Sequence, residues 1–175
     1  MDRNRKVVGN GFDPSVAQRD DRWTLITAER SQLGHRYLEV MRQLNPETYS
    51  PTEPARYVKR MWRPPNAYYH LDGTTFEVVV GFDWARRLRR FRIISTGFVG
   101  DISPRMALDR VVEKAREFSI QNNLDHLIAI RPRLMDSPRI LEFYDLLNSH
   151  PALRIRGGHW LSEGEYLWIR FSTAL

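Results

Sequence analysis

The sequence predicts one α/β domain built on a mixed, mostly antiparallel sheet of about seven strands flanked by helices. Three observations carry this. Two aromatic and β-branched runs, Ala67–Leu71 and Thr75–Phe82, are separated by the hairpin signal Asp72-Gly73. Two Ser-Pro pairs, Ser103-Pro104 and Ser137-Pro138, each open a stretch of helical apolar period. A hydrophobic content of 42% in 175 residues is enough to fill a single core.

Taken in order, residues 1–22 carry Gly9, Gly11, Pro14 and many charges with almost no apolar period, and read as a basic arm outside the domain that spans 23–175. Such an arm is held by a partner chain or folds back on its own domain. Trp23–Thr27 forms a short strand. From Glu29, the residues Leu33, Tyr37, Val40, Met41 and Leu44 fall on one helical face, and Asn45-Pro46 ends the helix. Prolines 46, 51, 54, 64 and 65 keep the next stretch mostly irregular, with two helical turns over Ala55–Trp62. After the hairpin, the basic cluster from Asp83 to Arg90 forms a tip before a third meander strand, Phe91–Thr96. The second half alternates. A helix carries Leu108, Val111, Val112, Ala115 and Phe118 and ends near Asn122-Asn123; His126–Ile130 is a strand; a helix runs through Ile140, Leu141, Tyr144 and Leu147 to His150-Pro151. Leu153–Trp160 and Tyr166–Phe171 close the chain as a hairpin around Ser162-Glu163-Gly164.

Composition narrows the function. The longest uncharged apolar run, Val78–Phe82, has five residues, far short of a membrane span. The basic N-terminus is not followed by the apolar stretch of a signal peptide, so a cytoplasmic location, or one inside an intracellularly assembled particle such as a virion, is expected. With no cysteine, thiolate metal sites and thiol nucleophiles are excluded. The five histidines show no ligand spacing, so no metal is expected. Serine-nucleophile elbows and P-loops are absent. The 27 basic residues against 21 acidic ones leave +6, and since only Lys6, Lys59 and Lys114 are lysines, 24 are arginines, the side chain suited to phosphates, carboxylates and protein interfaces. Arg86, Arg87, Arg89, Arg90 and Arg92, beside Trp84 and Phe91, combine charge with stacking surface and are the candidate contacts for nucleic acid or a partner protein.

The order strand, helix, three-strand meander, helix, strand, helix, hairpin, together with Arg139-Ile140-Leu141-Glu142-Phe143-Tyr144-Asp145-Leu146-Leu147, resembles the GCN5-related N-acetyltransferase (GNAT) superfamily over roughly residues 22–172. The resemblance implies that Tyr144 occupies the place of the tyrosine that protonates the departing thiolate of coenzyme A. It also implies a pyrophosphate-binding loop at the junction after the fourth strand, Thr96 to Pro104, with Gly97, Gly100 and Ser103 as its small residues. With Ser103 on the last small position of the family pattern, Asp101 falls on the first glycine and Phe98 on the Arg or Gln, and Pro104 removes an amide donor from the helix start.

That departure leads to the expectation of a catalytically degenerate GNAT-like module without a cofactor. It would act as a structural or assembly subunit among other protein chains, with the arm as a contact and a tailed-phage virion as one setting. The alternative is an acyl-CoA-dependent N-acetyltransferase using acetyl-CoA, whose acceptor amine enters near Tyr57, Trp62 and Tyr68. A second alternative is nucleic-acid binding through the arginine-rich hairpin.

Overall fold

The computed structural model describes residues 23–44, 46, 51–130, 137–158 and 166–171. The arm, 1–22, and the turn at 162–164 lie outside the described residues. Strand β1 is Trp23–Leu25; a 3-10 turn, Ala28–Arg30, leads into helix α1, Ser31–Leu44, and α2 is Pro54–Val58. The meander is β2 Asn66–Asp72, β3 Phe76–Ala85 and β4 Arg90–Gly100. Helix α3, Pro104–Asn122, β5 His126–Ile130, α4 Pro138–Leu147, β6 Leu153–Gly158 and β7 Tyr166–Phe171 complete the domain. The seven strands form one sheet in the order β1-β2-β3-β4-β5-β7-β6. Every pairing is antiparallel except β4 with β5, which the long α3 crossover makes parallel.

Several boundaries differ from the sequence reading, each for a local reason. The Asp72-Gly73 signal does mark the hairpin, but Asp72 pairs with Glu77 inside the sheet and the turn is Gly73–Thr75, closed by the Gly73 amide on the Phe76 carbonyl at 2.9 Å. The basic tip is shorter than 83–90: β3 continues to Ala85, and only Arg86–Arg89 turn the chain, with Arg89 in the left-handed region at φ 48°. Strand β4 does not stop at Thr96. It pairs with β3 through Gly100, because Gly97 and Gly100 sit opposite Val79 and Phe76 and do not break the ladder. Ser103 caps α3 as its sequence suggests, its Oγ accepting from the Met106 amide at 3.1 Å, whereas Ser137 caps α4 only through its backbone carbonyl. Asn123, at φ 54°, ends α3 in the left-handed conformation.

Helices cover both faces of the meander. On one face α3 and α4 bury Val78, Val80, Phe82, Phe91, Ile93 and Phe98. Phe118 is the hub: its ring stacks on Phe82 at 4.9 Å and contacts Tyr69, Trp84 and Phe91 between 5.4 and 6.2 Å. On the other face α1 and the α2 segment bury Tyr37, Leu38, Met41, Val58 and Met61 against Tyr68 and Val79.

Helix α1 is also tied to the sheet by charge. Arg36 donates to Glu77 through two nitrogens, Nε to Oε2 at 2.6 Å and the second to Oε1 at 2.8 Å, and the buried His70 lies 3.4 Å from Oε2. Burial would push the Glu77 carboxyl up; the hydrogen bonds from Arg36 and then His70 outweigh it and hold the group below its ordinary value. A depressed folded value contributes stability above the unfolded carboxylate range and loses it as pH falls. Glu77→Gln therefore costs about 1–2 kcal/mol at neutral pH in urea unfolding, and the gap to the parent chain closes as the pH drops below 4.5.

Candidate active site

The parallel pair β4–β5 sets the geometry. Arg90–Ile93 pair with His126–Ala129, and there the ladder stops, although β4 continues to Gly100. The cause lies in the pairing with β3: Gly81 faces Ser95 while Phe82 faces Ile93, so Ile94 is one extra residue in β4. A bulge bends its strand. Ile93 packs with the α3 face, whereas Ile94 packs with the α1 cluster, and Ser95, buried, meets the buried Tyr37 hydroxyl of α1 through its Oγ. Past the bulge, β4 has no partner on its β5 side among the described residues. An opening between the carboxyl ends of two parallel strands is where α/β sheets place ligands.

Beyond the stretch of β4 that is unpaired with β5 comes the β4–α3 junction. Its amides are largely engaged within the protein. Asp101 donates to the Thr75 carbonyl at 2.9 Å, Ile102 to the Gly100 carbonyl at 3.0 Å, Met106 to Ser103 Oγ and Ala107 to the Ser103 carbonyl at 2.9 Å, while Pro104 has no N–H. The expected site residues divide accordingly. Gly97 lies in the buried part of β4, where an added Cβ would stand 2.7 Å from Met41 Sδ; its role is close approach of α1, and it is not a loop residue. Gly100 is exposed at φ +88°, and a Cβ there would fall onto the Thr75 carbonyl oxygen. Ser103 is exposed at the helix cap.

Helix α4 leans on the same corner. Arg139 donates to the Ile102 carbonyl and places its guanidinium 5.0 Å from the centre of the Phe98 ring. Phe98, on the position where the family pattern has Arg or Gln, is thus covered by a cation from another element. One turn on, Phe143 contacts Phe98 at 5.9 Å, and Tyr144 packs edge-on to Phe143 at 5.3 Å with 1% of its surface exposed. Arg139 has no recognisable spacing signal; only packing brings it here.

The tip arginines do not act as one group. Arg92 forms a two-nitrogen pair with Asp83, its Nε to Oδ1 at 2.7 Å, and Arg89 pairs with Asp125 at 2.8 Å while donating to Asn123. Arg86 and Arg87 are exposed on the tip. Arg90 instead starts a row across the sheet: it is registered with His126, whose neighbour Leu127 faces Ile169, and Arg170 in β7 is opposite Arg154 in β6. Sequence reading missed His126, Arg154 and Arg170, because strand register joins residues distant in the chain. The aromatic group divides too. Tyr68 packs on Tyr37 at 5.1 Å with Tyr57 nearby on the α1 face, whereas Tyr69 points to the α3 face. Among the described residues no cluster of His, Asp or Glu could hold a metal ion, and no helix is long and apolar enough to cross a membrane.

The architecture is that of the GNAT acetyltransferases. A solved aminoglycoside 6'-acetyltransferase type Ii superposes with a TM-score of 0.59 at 13% identity, covering 84% of this chain and 95% of its own. The aminoglycoside 6'-N-acetyltransferase from Enterococcus faecium gives 0.57 at 12%, covering 85% and 94%. An aminoglycoside 6'-N-acetyltransferase complexed with coenzyme A gives 0.55 at 12% identity over 85% and 94%. At such identities the likeness establishes the fold. No family model matches the chain, and no curated protein matches it in sequence.

The two glycines should respond differently to alanine. Gly100→Ala meets backbone in a left-handed conformation and costs about 2 kcal/mol or more, while Gly97→Ala meets the mobile end of Met41 and costs about 1 kcal/mol. Thermal or urea unfolding of both variants gives the ranking.

Proposed function

We propose that this chain is an acyl-CoA-dependent N-acyltransferase that takes the thioester between β4 and β5. The observation that supports the reading most directly is the end of β4–β5 pairing at Ile93 and Ala129 beside the Ile94 bulge. The GNAT-like fold supports it as well, and one protein of that fold was crystallised with coenzyme A. Past the bulge, the side of β4 that has no strand partner among the described residues leaves backbone groups for an extended arm carrying a thioester. The phosphate end is a poorer fit, since four junction amides are engaged and Asp101 adds a carboxylate. Among the described residues, the amides of Ser103 and Arg105 have no hydrogen-bond partner, and the guanidinium of Arg139, which donates to the Ile102 carbonyl, has further N–H groups.

In the reaction, the amine nitrogen bonds to the thioester carbonyl carbon and the carbon–sulfur bond breaks. The amine gives up a proton and the departing thiolate takes one. A phenol keeps its proton at neutral pH, so Tyr144 is suited to supply it once the acyl donor reaches its edge of the core. Tyr144→Phe keeps the ring that packs on Phe143. It should leave the melting temperature within about 2 °C and lower kcat on the order of a hundredfold; unchanged kcat would leave Tyr144 a packing residue only.

The engaged amides favour a second reading, a GNAT-like module that does not bind acyl-CoA. Neither the comparisons nor the described residues support a virion or other structural role. Calorimetric titration with acetyl-CoA separates the two: a Kd in the range of about 1–100 μM is expected for the transferase, and no saturation by about 1 mM would sink it in favour of the module.

A further inference from the structure

Strand register sets a row of basic side chains across the half of the sheet that α1 leaves open. Phe91 in β4, Leu127 in β5, Ile169 in β7 and Leu153 in β6 all belong to the core under α3 and α4. Side chains alternate along a strand, so the neighbouring Arg90, His126, Arg170 and Arg154 fall on the opposite face. Arg90 is registered with His126; Leu127 faces Ile169, so one step on His126 stands opposite Arg170; and Arg170 is paired with Arg154. Four adjacent strands hold these groups side by side, about 14 Å from end to end at about 4.8 Å per strand.

On that face, α1 and the α2 segment cover Tyr68 of β2, Val79 of β3, and Ile94 and Val99 of β4 beyond the bulge. No described residue of β5, β6 or β7 joins their cluster. Arg154 and Arg170 are exposed, and Arg90 and His126 are half-buried.

The row lacks a counter-charge among the described residues. Like charges directly opposite one another destabilise a strand pair, and Arg154 and Arg170 stand in that relation without a carboxylate partner among those residues. The carboxylates nearest in the chain to the start of β4 and β5 are taken: Asp125, beside His126, by Arg89, and Asp83 by its cross-strand neighbour Arg92. Arg90 is engaged within the domain, yet a guanidinium stays charged and carries five N–H donors.

We propose that this row binds the phosphate backbone of a single-stranded nucleic acid, irrespective of its sequence. Arginine's planar fork grips two oxygens of one phosphate, and an imidazole N–H adds a further donor. A strand with a full negative charge on every nucleotide can set about three successive phosphates against the three arginines. An acidic peptide suits the row less well. Such peptides gain affinity from backbone hydrogen bonds at a sheet edge, whereas β4, β5 and β7 are interior strands and offer side-chain charge on this face. The row lies at the amino ends of β4 and β5, and the thioester opening beyond their last pair, Ile93 with Ala129, so this binding does not depend on acyl transfer.

The test is fluorescence anisotropy of a labelled oligothymidylate of about 20 nucleotides, titrated with the full chain in about 50 mM salt. Saturable binding is expected with a Kd of about 1–100 μM, and log K should fall against log salt with a slope of about −2, as three phosphate contacts on a single strand require. Arg154→Ala and Arg170→Ala, both at exposed positions, should each weaken binding about threefold to tenfold and flatten the slope by about 0.7. Arg56→Ala removes the same charge from α2, where Arg56 is exposed and paired with Glu53, and should change neither value. Polyglutamate of about the same number of charges should compete at least about tenfold less well than unlabelled oligothymidylate. No saturation by about 200 μM chain, equal weakening by Arg56→Ala and the row variants, or polyglutamate competing as well as the oligonucleotide would each overturn the proposal.

Discussion

One extra residue in β4, Ile94, is what the arrangement turns on. Before it, β4 is an ordinary central strand, bonded to β3 on one side and β5 on the other. After it, the strand keeps β3 and parts from β5. The bulge also brings Ile94 and Ser95 to the face covered by α1, where the Tyr37 hydroxyl meets Ser95 and Gly97 lets Met41 approach. Were Ile94 instead paired with Gly81 in a regular ladder, Ser95 would fall on the other face, against the aromatic core, as a buried hydroxyl facing apolar rings.

The two faces are held differently, and the difference bears on function. The α3 face is secured by aromatic packing around Phe118, whose contacts join β2, β3, β4 and α3 in one cluster. The α1 face relies more on polar ties, Arg36 to Glu77 and Tyr37 to Ser95. Such ties are directional, and they hold α1 in one register over β3 and β4.

Charge follows the same logic. Among the described residues the basic groups do not gather into one patch. Arg36, Arg89, Arg92 and Arg105 have carboxylate partners, and Arg139 is bound to a backbone carbonyl. Elsewhere, Arg86 and Arg87 are exposed at the tip, and strand register joins Arg90 to His126, Arg170 and Arg154. Among the described residues, no basic side chain lines the cavity beside Trp62, Trp84 and Gln121 at the end of α3.

The fold class and element order were legible because their signals are local: β-branched runs, the apolar period of α1, α3 and α4, and the Ser103-Pro104 start that caps as expected. The family likeness followed from that order. Local signals could not show that Gly97 belongs to a strand, because its neighbours there are Val79, Met41 and Leu44, all distant in sequence. Nor could they place Arg139 over Phe98 or Gln121 beside Trp62 and Trp84. By itself the sequence determined which segments fold as strands and helices, since that depends on side chains within a few residues of one another. Where β4 parts from β5, which arginines are neutralised and where the cavities open were decided only by the tertiary structure, because each depends on a register between strands or on the packing of a helix against a sheet.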